Sequence, residues 1–281
     1  MSSAQIPKPA KLPFWHTVGN AYAIPFNHAA TLARVMWLWL GLMTPVLLFM
    51  SWLIAPSLAD FMAKIGTPAS KDIQWQVQIF SSVKQIILLP AVASIAVAWH
   101  RFILSNEQPQ DRYLQIDRNV FLYAGYVLVT TIVFNVIGQF PSYLAAATGT
   151  RAPDWAVGIC SLLVLPLFFV VARCSPILVA IALGRSDISL GDVWEATRRN
   201  TWRMALGPVV CLILLAIPGM IMFRLAGMNR LSAAAILTLL DLISIIGGVV
   251  GVGFLSLAYR HFFPMKPRIR MKAASAILAP V

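Results

Sequence analysis

Charge is what this sequence has least of. Only 11% of its 281 residues are Asp, Glu, Lys or Arg, where a soluble domain carries about 25%, so there is too little polar surface to clothe a water-soluble core. Cysteine is nearly as scarce. Cys160, Cys174 and Cys211 lie inside apolar runs, with no CxxC pair and no histidine at ligand spacing. Buried reduced thiols are the expectation, not a disulfide scaffold or a metal site. The phosphate-binding loop GxxxxGK, the GxSxG turn and the HExxH helix are missing too. No two acids stand at helical spacing within an apolar run, and no polar stretch is long enough for a catalytic domain. The expectation is therefore a protein that is not an enzyme, with no catalytic residue, no metal and no cofactor. The first 30 residues also lack a continuous apolar core followed by a small-residue cleavage site, so no signal peptide is expected to be removed.

Long apolar runs are what is present. The composition is 59% hydrophobic and the mean hydropathy is +0.78. A hydrocarbon core about 30 Å thick needs about 20 helical residues. Six runs qualify, at about 32–53, 77–98, 120–138, 155–183, 204–223 and 231–259. The expected fold is an all-α integral membrane protein with six transmembrane helices arranged as three hairpins. Residues 13–263 form one membrane domain, between a disordered lead (1–12) and a basic tail (264–281). Proline should kink several spans, at Pro45, Pro90, Pro166 and Pro208 among others.

Two further segments read as cytoplasmic interfacial helices. Pro13 to Thr31 mixes Phe14, Trp15, Tyr22 and Phe26 with His16, Asn20, Asn27 and His28, a blend suited to headgroup depth, with a break near Pro25. From Arg185 to Arg203, Leu190, Val193, Ala196 and Trp202 recur near helical spacing opposite Asp192, Glu195, Arg198 and Arg199, the pattern of an amphipathic helix.

The net charge of +12 is parcelled into short segments between apolar runs, which speaks for membrane orientation and against nucleic acid. With six spans, 15 of the 22 Lys and Arg fall on the side that holds both termini and five on the other. Both termini are accordingly placed in the cytoplasm. The ends of spans two and six echo each other, AWHRF at 98–102 and AYRHF at 258–262, and the odd spans start near 32, 120 and 204, so the hairpins are candidates for a repeat.

Four polar residues are embedded in the spans. Asp241 is the one ionisable residue between Leu231 and Tyr259, and an acid at such a place is costly without a partner. On a helical wheel Ala234, Thr238, Ser244 and Gly248 share its face, so that face should turn inward. Lys84, in span two, lies at a matching depth, since both spans enter from the outside. Asn135 could join the pair as an amide partner. Arg173 completes the embedded set nearer the cytoplasmic end. Two readings of Lys84 and Asp241 stand open: a charge pair lining a polar path, or a structural bridge that sets helix register.

Trp99, His100 and Arg101, the related Tyr259, Arg260 and His261, and the cluster Arg198, Arg199 and Arg203 are candidates for lipid or partner contact, or for ordinary anchoring at the interface. The expected partners are membrane lipids including anionic headgroups, another membrane protein or a second copy, and no nucleic acid.

The segments AVAWHRFILSNEQ and SLGDVWEATRRNTWRM resemble stretches of multi-pass inner-membrane proteins of alphaproteobacteria. They are distantly similar to the membrane domain that accompanies some glycerophosphodiester phosphodiesterases. The soluble catalytic domain of those enzymes has no counterpart in this sequence, so the resemblance implies a location, the bacterial inner membrane, and no activity. The expected function is non-enzymatic organisation of lipids or partner proteins; the alternative is a small secondary transporter using Lys84 and Asp241.

Overall fold

A computed structural model describes residues 11–63, 70–107, 116–148, 154–225 and 230–264. The expectations for the lead before Lys11 and the basic tail after Pro264 lie outside the described residues, as does the middle of the loop after span two. Nine helices and no strand occur among the described residues: α1 (Phe14–Asn27), α2 (Ala29–Ala63), α3 (Ser70–Ser105), α4 (Arg118–Thr148), α5 (Asp154–Cys174), α6 (Pro176–Ala182), α7 (Leu190–Thr197), α8 (Thr201–Leu225) and α9 (Arg230–Phe262).

Five segments are long and apolar enough to cross a membrane: Ala29–Ser57, Ile79–Ser105, Arg118–Gly138, Gly158–Ala182 and Ala234–Phe262. The apolar stretch described for α8 is the shorter Thr201–Ile213. The expected hairpin partners are in contact, α2 with α3, α4 with α5, and α8 with α9. The helix that carries Asp241 is the hub, since α9 touches α1, α2, α3, α6 and α8. Small residues let it be so. Ala21 of α1 lies against Gly253, and Gly207 of α8 lies directly under the Phe254 ring.

Boundaries differ from the sequence reading where backbone hydrogen bonding outweighs composition. The run 155–183 divides at Ser175, with Pro176 opening α6: proline has no N–H to continue a helix but suits its first turn. Gly184, at φ +67°, closes α6. Its N–H donates to the Ile181 carbonyl and that of Arg185 to the Ala180 carbonyl, the paired bonds of a Schellman ending that needs a left-handed residue. Pro25, in contrast, stays inside α1, and the break falls at His28, because one lost hydrogen bond near a helix end is tolerated. Leu12 does not belong to a free lead. It is 2% exposed and its N–H donates to Asn200 Oδ1 at 2.9 Å.

The segment after α6 begins its helix as SxxD predicts, with Ser189 and Asp192 exchanging side-chain and backbone hydrogen bonds in a capping box. Val193, Ala196 and Thr197 are buried on its inner face. On α1 the inner face is Thr17, Val18, Ala21 and Pro25. Its outer face is mixed, with Trp15 74% and Phe26 79% exposed alongside exposed His16 and Asn27.

Polar clamps collect at one end of the bundle. Arg101, near the C-terminal end of α3, donates through Nε to the Ala182 carbonyl at 2.8 Å and through Nη2 to Asp117 Oδ2 at 2.7 Å. Arg185 Nη1 reaches the Tyr259 hydroxyl at 3.4 Å. Leu12 and Phe262 share one apolar cluster with Val193 and Met204. Leu12 and Phe262 therefore lie at the same end of the bundle.

Candidate functional site, an ion pair on an apolar cleft

Lys84 lies midway along α3 and Asp241 a third of the way along α9. Lys84 Nζ donates to Asp241 Oδ1 at 2.8 Å and to Oδ2 at 3.0 Å. The lysine is in position because α3 and α9 are packed side by side and run in the same direction. The pair is not sealed in the core. It borders a cleft of about 430 Å³ between α3, α4 and α9.

The cleft is polar at one end and apolar beyond it. Ser81, Gln85 and Ser244 accompany the ion pair; Leu88, Val92, Ile95, Ile245 and Val252 line the middle, and Trp99 and Tyr123 stand at the far end. The lining positions on α3 and on α9 recur every three or four residues, some as adjacent pairs such as Lys84 and Gln85 or Gly248 and Val249, which is the spacing of one helical face. Gly248 leaves the cleft open, for a Cβ at that position would meet no heavy atom within 4 Å. From α4 the described lining is Tyr123 and Val127, both in its first turns.

Trp99 and His100 sit under the inner end, both fully buried. The Ser256 hydroxyl lies 2.9 Å from the Val252 carbonyl and 2.7 Å from His100 Nδ1, so it ties His100 to α9. His100 Nε2 and Trp99 Nε1 are buried without a hydrogen-bond partner among the described residues. Trp99 stacks on Phe102 with centroids 5.2 Å apart. These two side chains are core groups, not surface contacts with headgroups.

Arg101 is likewise turned inward by its bonds to Ala182 and Asp117. Burial pushes the Asp117 carboxyl up, but the Arg101 guanidinium and the backbone N–H of Val120 hold it below its ordinary value. A carboxylate lowered on folding stabilises the protein fully above its unfolded pKa, near 3.9, and loses that contribution as pH falls through the folded value. The expected result is a melting temperature in detergent that drops below about pH 4, with a smaller drop for Asp117→Asn. An unchanged acid profile in that variant would remove Asp117 from the account.

The other predicted residues separate. Asn135 does not join the ion pair: its amide donates to the Thr131 carbonyl one turn back on α4, at 2.9 Å. Arg173 does not join it either. Its guanidinium lies over the Trp194 ring at 3.4 Å and donates to the Trp194 carbonyl, fastening α7 to α5. Tyr259 is buried beside Arg185. Arg203 donates to Asn200 Oδ1 at 3.2 Å. Arg198, Arg199 and Arg260 are exposed, as is Trp202, at 66%. His261 packs edge-on against Phe262.

Several participants escaped the sequence reading. Tyr123, Gln85 and Ser81 carried no signal alone, though Ser81, Lys84, Leu88, Val92, Ile95 and Trp99 fall on one face of a helix and could have been found as a stripe with the lysine. Among the described residues no group of three His, Cys, Asp or Glu could hold a metal. Chemically the cleft offers a neutralised charge pair beside an apolar trough. No family model, no curated protein and no solved structure matches this chain.

Proposed function

We propose that this is a bacterial inner-membrane protein with six spans, α8 being the fifth of them along the chain, that organises lipids without chemical turnover by holding an amphiphile in the cleft between α3 and α9. The observation that carries this reading is an ion pair at one end of an otherwise apolar cleft of about 430 Å³. A bridge that served only helix register would be expected in a closed core, where no third group competes for it. Both termini are on the cytoplasmic side in this proposal, in keeping with the Lys and Arg bias. There α1 and α7 lie as interfacial helices, and Arg198, Arg199 and Arg260 meet anionic headgroups.

Purification in mild detergent followed by mass spectrometry of bound lipid tests the reading. The full chain should retain lipid in stoichiometric amount, and Gly248→Leu, which places a branched side chain in the trough, should retain far less while melting normally. Equal retention by the two proteins refutes the cleft as the binding place. A second reading, a small secondary transporter, is favoured by the same accessibility of the pair; it requires that Asp241→Asn abolish uptake or proton coupling in a folded protein.

A further inference from the structure

Resting on the reading of the cleft as a lipid site, we infer that its occupant is an aminophospholipid. The phosphodiester anion lies on Lys84 and the primary ammonium on Asp241, while one acyl chain runs between α3 and α9 toward Trp99.

Charge selects the headgroup. Lys84 and Asp241 are the charged residues of the described lining, one of each sign. A headgroup of net negative charge would satisfy Lys84 and strand the Asp241 carboxylate, and an uncharged polyol would leave the pair closed on itself. A zwitterion replaces both halves of the bridge at once, each with a charge-assisted hydrogen bond. The carboxylate further prefers a primary ammonium to a choline, since a quaternary nitrogen has no N–H to donate.

Shape selects the tail. Lys84 and Trp99 are 15 residues apart on α3, or about 22 Å at the helical rise. The far part of the cleft is walled by Ile95, Ala96, Trp99 and Tyr123, all of them buried, so it narrows to a slot that suits a single extended hydrocarbon chain. A leaflet is about 15 Å deep, so the chain runs beyond the bilayer midplane and long chains are favoured.

Position supplies the entry. The apolar segment Ile79–Ser105 has 27 residues, about 40 Å of helix, which exceeds the hydrocarbon core. Lys84, five residues from its start, then stands near the outer headgroup boundary. At that level the described lining comes from α3 and α9, whereas α4 walls only the Trp99 end with Tyr123 and Val127. A lipid can slide in sideways, keeping its second chain in the bilayer.

The test uses full-length protein in mild detergent, exchanged against equimolar palmitoyl-oleoyl phosphatidylethanolamine, phosphatidylglycerol and phosphatidylcholine, with retained lipid counted by native mass spectrometry. Wild type should retain phosphatidylethanolamine about tenfold over either competitor. Asp241→Asn, which leaves a lone cation, should reverse the order in favour of phosphatidylglycerol. The double variant Lys84→Gln, Asp241→Asn should retain all three alike. Gly248→Leu should retain none. Equal retention of the three lipids by wild type, or an order unmoved by Asp241→Asn, overturns the headgroup assignment even if Gly248→Leu still empties the cleft. Undiminished retention by Gly248→Leu overturns the underlying cleft reading instead.

Discussion

Replacing Gly207 with alanine is expected to lower stability by about 3 kcal/mol, the upper end of the cost of overpacking a core. The added methyl would lie 2.0 Å from Phe254 Cζ, 2.3 Å from Cε1 and 2.5 Å from Cε2, so it would sit on the face of the ring. A ring at a surface could swing aside. Phe254 cannot, because it is fully buried and lies edge-on to Phe14 at 6.4 Å, with α1, α8 and α9 meeting around it. The contact is relieved only if α8 and α9 separate. The helical preference for alanine over glycine, about 1 kcal/mol, offsets a part of this and not the whole. In detergent the melting temperature should fall by about 10 °C. Phe254→Leu in the same chain should recover most of the loss, although alone it destabilises. Gly251→Ala is the control, since its methyl meets no heavy atom within 4 Å, and it should leave melting unchanged or raise it. A Gly207→Ala protein as stable as wild type would mean that α8 and α9 are not in this register.

That contact shows where legibility in the sequence ends. A glycine before a proline at the start of an apolar run reads as an ordinary helix entry, and nothing local says that a phenylalanine 47 positions later fills the space above it. Lys84 and Asp241 were legible for the opposite reason. Ionisable residues in apolar runs are few, and a constant rise per residue converts position into depth, so two embedded charges of opposite sign at one level are natural partners. The break at Ser175 was half legible, as Pro166, Arg173 and Pro176 marked a long run that could divide, and only the choice among them was hidden. Arg101 and Arg173 were misread. Arg101, beside Phe102 and close to Trp99 at the end of a span, carries the usual sign of a headgroup anchor, and Arg173 stands among the embedded charges, yet each found a carbonyl or an aromatic face on another helix, Ala182 for Arg101 and Trp194 for Arg173. Helix ends have spare carbonyls, and which cation reaches them depends on how the helices pack.

Removing one partner of the Lys84 and Asp241 bridge should cost more than removing both. The side chains retain 24% and 18% of their exposure, within apolar segments of α3 and α9. A charge stranded in such a place costs about 3–5 kcal/mol when buried, and less here in proportion to its remaining exposure. The two single variants should also differ. Asp241→Leu leaves a lysine whose four-carbon stem can carry its ammonium to the headgroups, whereas Lys84→Met leaves a short carboxylate held in place on the hub helix. Lys84→Met is therefore expected to be the worse, at about 3 kcal/mol, with Asp241→Leu near 1 kcal/mol. The double variant Lys84→Met, Asp241→Leu should melt close to wild type, because two apolar side chains extend the trough without a stranded charge. The coupling from the cycle should then be about 4 kcal/mol. Additive effects in the cycle would mean that the two side chains do not meet in the folded protein. A stable double variant that no longer retains lipid would separate the two roles, since the bridge would then be dispensable for folding and needed for the occupant.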